Sequence, residues 1–215
     1  MKNVEQARFN MVEQQIRPWN VLDGQILDLL GRVKREQFVP PATAELAFAD
    51  IEIPLGHGAA MWQPKLEARV LQALRITPHD RALEIGSGSG YLTALLANLA
   101  KHVDSVEIVP ELLAFAEKNL AAHHLDNVTL TQGDAARGWQ GKYDVIVLTG
   151  SVPVLPPTFQ DSLNPGGRLF AIVGDAPAMQ ARLITATTTG FDSEVLFETC
   201  VAPLQNAIQP ERFVF

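Results

Sequence analysis

Residues Arg81 to Leu96, RALEIGSGSGYLTALL, constrain this chain more than any other stretch. Ala82, Leu83 and Ile85 form a short apolar run, the pattern of a buried parallel strand. Gly86, Gly88 and Gly90 follow at alternate positions, and Leu92, Leu95, Leu96 and Leu99 share one face of a following helix. Strand, glycine turn and helix form a nucleotide-binding arrangement. Glycine lets backbone approach a ligand closely, and a helix N-terminus presents unpaired N–H groups. The spacing restricts the ligand. A dinucleotide fingerprint runs G-x-G-x-x-G. Here the third glycine comes one residue early and Tyr91 fills its place, which disfavours a nicotinamide oxidoreductase.

The rest of the chain supplies the frame. Strands are expected over 81–85, 103–108, 127–132, 143–149 and 168–173, and helices over 89–100, 110–122 and near 156–163. That alternation predicts an α/β fold, Rossmann-like, with a mostly parallel seven-stranded sheet between helices. Residues 181–189 and 193–202 turn about Gly190 and predict an antiparallel hairpin at the sheet edge. ERFVF, residues 211–215, reads as a last short strand. Upstream, a helix is expected over 3–17, with Asn3 and Gln6 as a capping box and Pro18 as its stop. A second runs from an N-cap at Asp23 through Val33, and a third from Pro64 to Leu74. Leu46 to Pro64 reads as irregular, and a long irregular stretch in a compact domain is usually functional or mobile. On this reading, residues 1–79 form a helical and substrate-loop extension packed on a core, 80–215.

Composition removes several function classes. The chain has 215 residues, 47% hydrophobic, enough for one sizeable core. A net charge of −7 without a lysine or arginine cluster argues against duplex nucleic acid or an anionic membrane as partner. No apolar run reaches the ~18 residues of a membrane helix, and the polar start MKNVEQARFN is not a secretory signal. A soluble cytoplasmic protein is expected. Cys200 is the only cysteine, which excludes internal disulfides and cysteine metal clusters; it reads as packing in an apolar strand. His123, His124 and Asp126 fall at a helix C-terminus, where histidine is favourable, so no metal site is expected.

Ligands of open α/β sheets sit at the carboxyl ends of the strands. Glu107, 21 residues after Gly86, ends one strand and can accept both ribose hydroxyls. Asp134 follows the next and can accept from an adenine amine, while the Ala135 N–H meets a ring nitrogen. The pattern E-x-G-x-G-x-G, Glu84 to Gly90, resembles motif I of S-adenosylmethionine-dependent methyltransferases. The candidate cofactor site is Glu84, Gly86, Ser87, Gly88, Gly90, Tyr91, Glu107, Ile108, Asp134 and Ala135, for S-adenosylmethionine and its product S-adenosylhomocysteine. A sulfonium methyl is already activated, and a carboxylate acceptor is ionised at neutral pH, so no general base is required.

Several further runs point to one family: MVEQQIR (Met11 to Arg17), REQFVP (Arg35 to Pro40), LAFADIEIPLGHG (Leu46 to Gly58), NVTLTQGDAARGW (Asn127 to Trp139), YDVIVLTG (Tyr143 to Gly150) and LNPGGRL (Leu163 to Leu169). Together with LEIGSGSGYLTALLA they resemble protein-L-isoaspartate O-methyltransferases from about residue 11 to 204. The resemblance implies methylation of the abnormal carboxyl of isoaspartyl residues in damaged proteins. Gly86, Gly88, Glu107 and Asp134 match the family's cofactor positions, and His57 and Gly58 its GHG loop beside the substrate.

One departure is conspicuous. The family reads Q-T-I-S-Q-P after GHG, with the serine near the reacting carboxyl. Here the segment is AAMWQP: Ala60 replaces the threonine and Trp62 the serine, while Gln63 and Pro64 remain. No catalytic residue is therefore assigned. His57, Trp62, Gln63 and Thr149 are the candidate substrate-side residues, with Ser151 beside them and Trp139 as a lid over the adenine-side loop. An indole standing in the acceptor space predicts weak methylation of isoaspartyl peptides. Two other readings stay open: a methyltransferase for a small, flat molecule stacked on Trp62, and a cofactor-binding module without transfer.

Overall fold

The computed structural model describes residues 2–210. At the N-terminus, α1 (Lys2–Asn10) runs into a widened π turn, Met11–Ile16, and a 3₁₀ turn, Arg17–Trp19, in place of one helix over 3–17. The π turn sets Met11, Val12 and Ile16 into the core. Asn3 lies inside α1, so the capping box does not form; Gln6 Nε2 donates instead to Asn10 Oδ1 at 2.9 Å. Pro18 is accommodated in the first turn of the 3₁₀ segment, where its missing N–H costs nothing, and the chain turns only at Asn20, φ 60°. Helix α2 (Gly24–Arg32) is capped as expected, Asp23 Oδ1 accepting from the Gln25 N–H at 2.8 Å.

The stretch expected to be irregular holds a small antiparallel hairpin, β1 (Ile53–Gly56) and β2 (Ala59–Met61). Helix α3 (Pro64–Leu74) follows, with Leu66, Val70, Leu71 and Leu74 buried along one side.

The core then alternates: β3 (Arg81–Ile85), α4 (Tyr91–Ala97), β4 (His102–Glu107), α5 (Pro110–Ala121), β5 (Val128–Gln132), β6 (Tyr143–Val152), α6 (Pro157–Asp161) and β7 (Leu163–Val173). The edge hairpin is β8 (Met179–Thr187) and β9 (Gly190–Thr199). The sheet order is β5-β4-β3-β6-β7-β8-β9. Strands β3 to β7 pair in parallel, and β8 and β9 are antiparallel. This is the expected Rossmann-like sheet. Strand order reverses beside β3, which has β4 on one side and β6 on the other, so a crevice opens at their carboxyl ends.

Three local expectations change. Helix α4 begins at Tyr91, because Gly86 to Gly90 is consumed by the turn. NPGG is drawn into the start of β7, with Gly166 at φ 77° and Asn164 tied to Asp144. Cys200 is exposed just past β9 rather than packed, since β9 is the outer edge of the sheet. That edge carries Asp192, Glu194 and Glu198, charges that oppose strand addition.

One core cluster runs from Met11, Leu30 and Trp62 through Leu71 to Val145 and Phe170, joining the N-terminal helices to the sheet. The opposite sheet face packs Leu83, Ile146, Phe159 and Leu169. Among the described residues no helix is long and apolar enough to cross a membrane. The expected strand at 211–215 lies outside the described residues.

Candidate active site

The carboxyl ends of β3, β4 and β5 and the hairpin β1–β2 close on one cleft. On the sheet side its geometry is tightly specified. Gly86 sits at φ 99°, and any Cβ there would collide with Thr149 Oγ1. That hydroxyl lies 2.7 Å from the Ile85 carbonyl and 2.9 Å from the Gly86 carbonyl, so it pins the turn. Gly88, φ 54°, lines the cleft, and a Cβ there would press on a methyl of Leu55 at 3.2 Å.

Glu107 joins the turn to the second strand end. Its two oxygens accept from the Gly88 N–H at 2.9 Å and the Val109 N–H at 3.0 Å. Beneath the turn, Glu84 is fully buried. Its Oε2 accepts from Thr93 Oγ1 at 2.5 Å and Ser105 Oγ at 2.6 Å, and Ser105 also meets Ser87 Oγ. Burial pushes the Glu84 carboxyl up to about 8, against the pull of those two hydroxyls. Its Oε1 is buried without a partner among the described residues.

The opposite wall is the hairpin. Gly56, His57 and Gly58 all have positive φ, 89°, 54° and 76°, which turns the chain sharply between β1 and β2. Leu55, Ala59, Ala60 and Met61 give this wall an apolar surface. Trp62 is 5% exposed, its ring edge-on to Phe170 with centroids 6.2 Å apart. The indole is thus a core residue that forms part of the wall, not a group standing free in the acceptor space. The expectation of weak isoaspartyl methylation then rests on the missing hydroxyls more than on the bulk of the indole.

Arg35 holds this wall from behind. Fully buried, it donates to the Ala47 carbonyl at 2.9 Å and the Trp62 carbonyl at 2.5 Å, and pairs with Glu67. One guanidinium therefore clamps both ends of the segment 47–62. Burial pushes the Glu67 carboxyl up to about 7, against the pull of Arg35. Sequence reading missed this pair. Its signal was a glutamate set among Leu66, Ala68, Val70 and Leu71 on an otherwise apolar helix face.

Of the expected site residues, the cleft gathers Glu84, Gly86, Ser87, Gly88, Glu107, Ile108, Asp134, Ala135, Trp62 and Thr149. Four others fall elsewhere. Gly90 is where α4 meets α5; a Cβ would lie 3.3 Å from the Ala116 backbone. Tyr91 points into the N-terminal core, its ring 5.3 Å from Phe38 and 5.0 Å from the Arg35 guanidinium. His57 is exposed at the hairpin turn. Gln63 precedes α3, its carbonyl accepting from the Leu66 N–H at 3.0 Å. Thr149 spends its hydroxyl on the turn, and Ser151 is 1% exposed with its Oγ towards the Val201 carbonyl. Trp139 packs on Gly133 and does not line the cleft. Sequence reading also missed residues 201–205, which supply a further wall.

Comparison with known proteins agrees with this architecture. A family model described as protein-L-isoaspartate(D-aspartate) O-methyltransferase matches residues 6–202. A protein-L-isoaspartate O-methyltransferase of Protochlamydia amoebophila is 39% identical over 174 residues, covering 80% of this chain and 82% of the relative. A protein-L-isoaspartate O-methyltransferase 1 of Anaeromyxobacter is 40% identical, covering 87% of this chain and 91% of the relative. The fold also matches a Plasmodium falciparum protein solved in complex with S-adenosyl-L-homocysteine, with a TM-score of 0.80 at 22% identity over 92% of this chain and 98% of that one.

Proposed function

This chain is a methyltransferase of the protein-L-isoaspartate(D-aspartate) O-methyltransferase family, and from that premise we propose that it uses S-adenosylmethionine to esterify the carboxylate of isoaspartyl residues in proteins. The observation that carries this reading is the bond from the Gly88 N–H to Glu107. It makes the glycine turn and the next strand end one cradle, facing a hairpin that can present an acceptor.

The residues present fit the cofactor. Glu107 has lone pairs left for ribose hydroxyls, and a Cβ at Gly88 would fill the cradle. The orphaned Glu84 Oε1 lacks a donor that the cofactor's ammonium would supply. Asp134 and Ala135 offer an acceptor and a donor for the adenine edge. When bound, S-adenosylmethionine supplies a sulfonium methyl open to in-line attack. The protein's own part is alignment and exclusion of water. The acceptor carboxylate needs no base, being ionised at neutral pH. With alanines at positions 59 and 60, its orientation falls to the hairpin's backbone N–H groups. Radiolabelled methyl transfer to an isoaspartyl peptide tests the reading, with base-labile ester as the expected product. Intact S-adenosylhomocysteine binding without such an ester would overturn it.

A second reading, a flat small-molecule acceptor, is favoured by one observation: the hairpin wall is apolar and includes an indole. Label appearing on a small molecule of a cell extract, and not on the peptide, would select it.

A further inference from the structure

The chain beyond β9 does not leave the fold; it crosses the mouth of the cleft. The Ser151 N–H donates to the Ala202 carbonyl at 3.0 Å, and the Leu204 N–H to the Ser151 carbonyl at 2.9 Å. Leu204 packs so closely that a Cβ on Gly150 would come within 2.9 Å of it. The next two residues reach opposite walls. Gln205 Nε2 donates to the His57 carbonyl at 3.2 Å, on the hairpin. Asn206 Nδ2 donates to Asp134 Oδ2 at 2.9 Å, on the adenine side.

We propose that Asn206 is a positioning residue for the cofactor: its amide fixes the Asp134 carboxylate in the orientation that reads the adenine amino group. The inference rests on the reading that Asp134 accepts from that amine. Asp134 Oδ1 already accepts from the Ala136 N–H at 3.1 Å. One donor on each oxygen biases this exposed carboxylate towards one orientation. An ionised carboxylate has about four acceptor sites, so two remain for a ligand. A group held in place before binding loses less freedom on binding than one that must be ordered by it. The backbone supports the same role. Asn206 has φ 62°, a left-handed conformation that asparagine and glycine tolerate best. The turn it makes aims the amide at Asp134.

The backbone preference supplies a clean variant. Asn206→Gly keeps the turn and removes the amide. Titration calorimetry would compare S-adenosylhomocysteine with its 6-deamino analogue, which carries hydrogen in place of the adenine amine and keeps the ring nitrogen. The unaltered protein should favour S-adenosylhomocysteine by about tenfold or more. Asn206→Gly should weaken S-adenosylhomocysteine roughly tenfold and leave the analogue within about twofold, so the preference collapses. Asn206→Asp, which sets a like charge against Asp134, should weaken S-adenosylhomocysteine further and covers the case in which the glycine variant fails to fold. Equal losses for both ligands would make Asn206 a structural strap and overturn the proposal, as would no loss. If the unaltered protein shows no preference, the Asp134 reading fails and takes this inference with it. If Asp134→Ala abolishes the preference while Asn206→Gly retains it, only this inference fails.

Discussion

The two walls of the cleft are built in opposite ways. On the sheet side, Glu107 and Thr149 bond to the glycine turn itself, and Glu84 lies beneath it, bonded to Thr93 and Ser105. On the hairpin side, the polar anchor is Arg35, and it lies behind the wall, gripping the Ala47 and Trp62 carbonyls. The first wall lines the cleft with polar groups. The second presents shape, and its chemistry serves only to hold that shape. A site divided in this way can keep its cofactor while its acceptor side drifts in composition, because the two sides share few side chains.

The largest test of this contrast concerns Trp62. If the hairpin wall is the outer layer of the core, Trp62→Ser leaves a cavity against Phe170 and should cost about 3–5 kcal/mol in denaturant unfolding. A loss below about 1 kcal/mol would place the indole outside the core and return it to the acceptor space.

Glu107→Ala strikes the other wall. It removes the acceptor of two backbone N–H groups and, on our reading, of the ribose hydroxyls. S-adenosylhomocysteine should bind about 100-fold more weakly by calorimetry. An unchanged affinity would remove Glu107 from the site.

The proton on Glu84 offers a third test. Its carboxyl, ordinarily near 4.5, is raised to about 8 by burial, so the folded protein binds a proton that the unfolded chain has released between those values. Its contribution to stability therefore falls as pH rises through that window. A cofactor ammonium against Glu84 favours the ionised form. Binding at pH 7 should release up to about one proton, seen as a dependence of the binding heat on the buffer's ionisation enthalpy. Glu84→Gln should abolish the dependence; if the dependence persists in that variant, the proton comes from another group.

Ala60→Thr is the smallest change and sharpens the comparison from the acceptor side. It returns one hydroxyl to β2 without opening the core. A hydrogen bond of about 0.5–1.5 kcal/mol corresponds to a rise of roughly two- to tenfold in isoaspartyl methyl-ester formation. An unchanged rate would show that orientation does not depend on a side-chain donor at this position.

These walls also divide what could be read from residue order. The glycine turn, Glu107 and Asp134 were legible because each follows its strand within one turn, where local geometry determines the direction of backbone and side chain. The parallel sheet and edge hairpin were legible for the same reason, as periodicities of short segments. Gly90 and Tyr91, in the same motif, lie off the cleft. Which face of a glycine turn meets the ligand and which meets α5 or Phe38 depends on helices that pack from outside it. The burial of Trp62, the Arg35–Glu67 pair and the reach of Asn206 to Asp134 join residues 108, 32 and 72 positions apart. No local pattern encodes such contacts. The sequence by itself determined the sheet, the glycine turn and the acids at the strand ends, because these follow from nearest-neighbour sterics and hydrophobic period. The tertiary structure alone decided that the indole is buried, what clamps the hairpin and what crosses the mouth of the cleft, because a buried group takes whatever partner the completed packing brings to it.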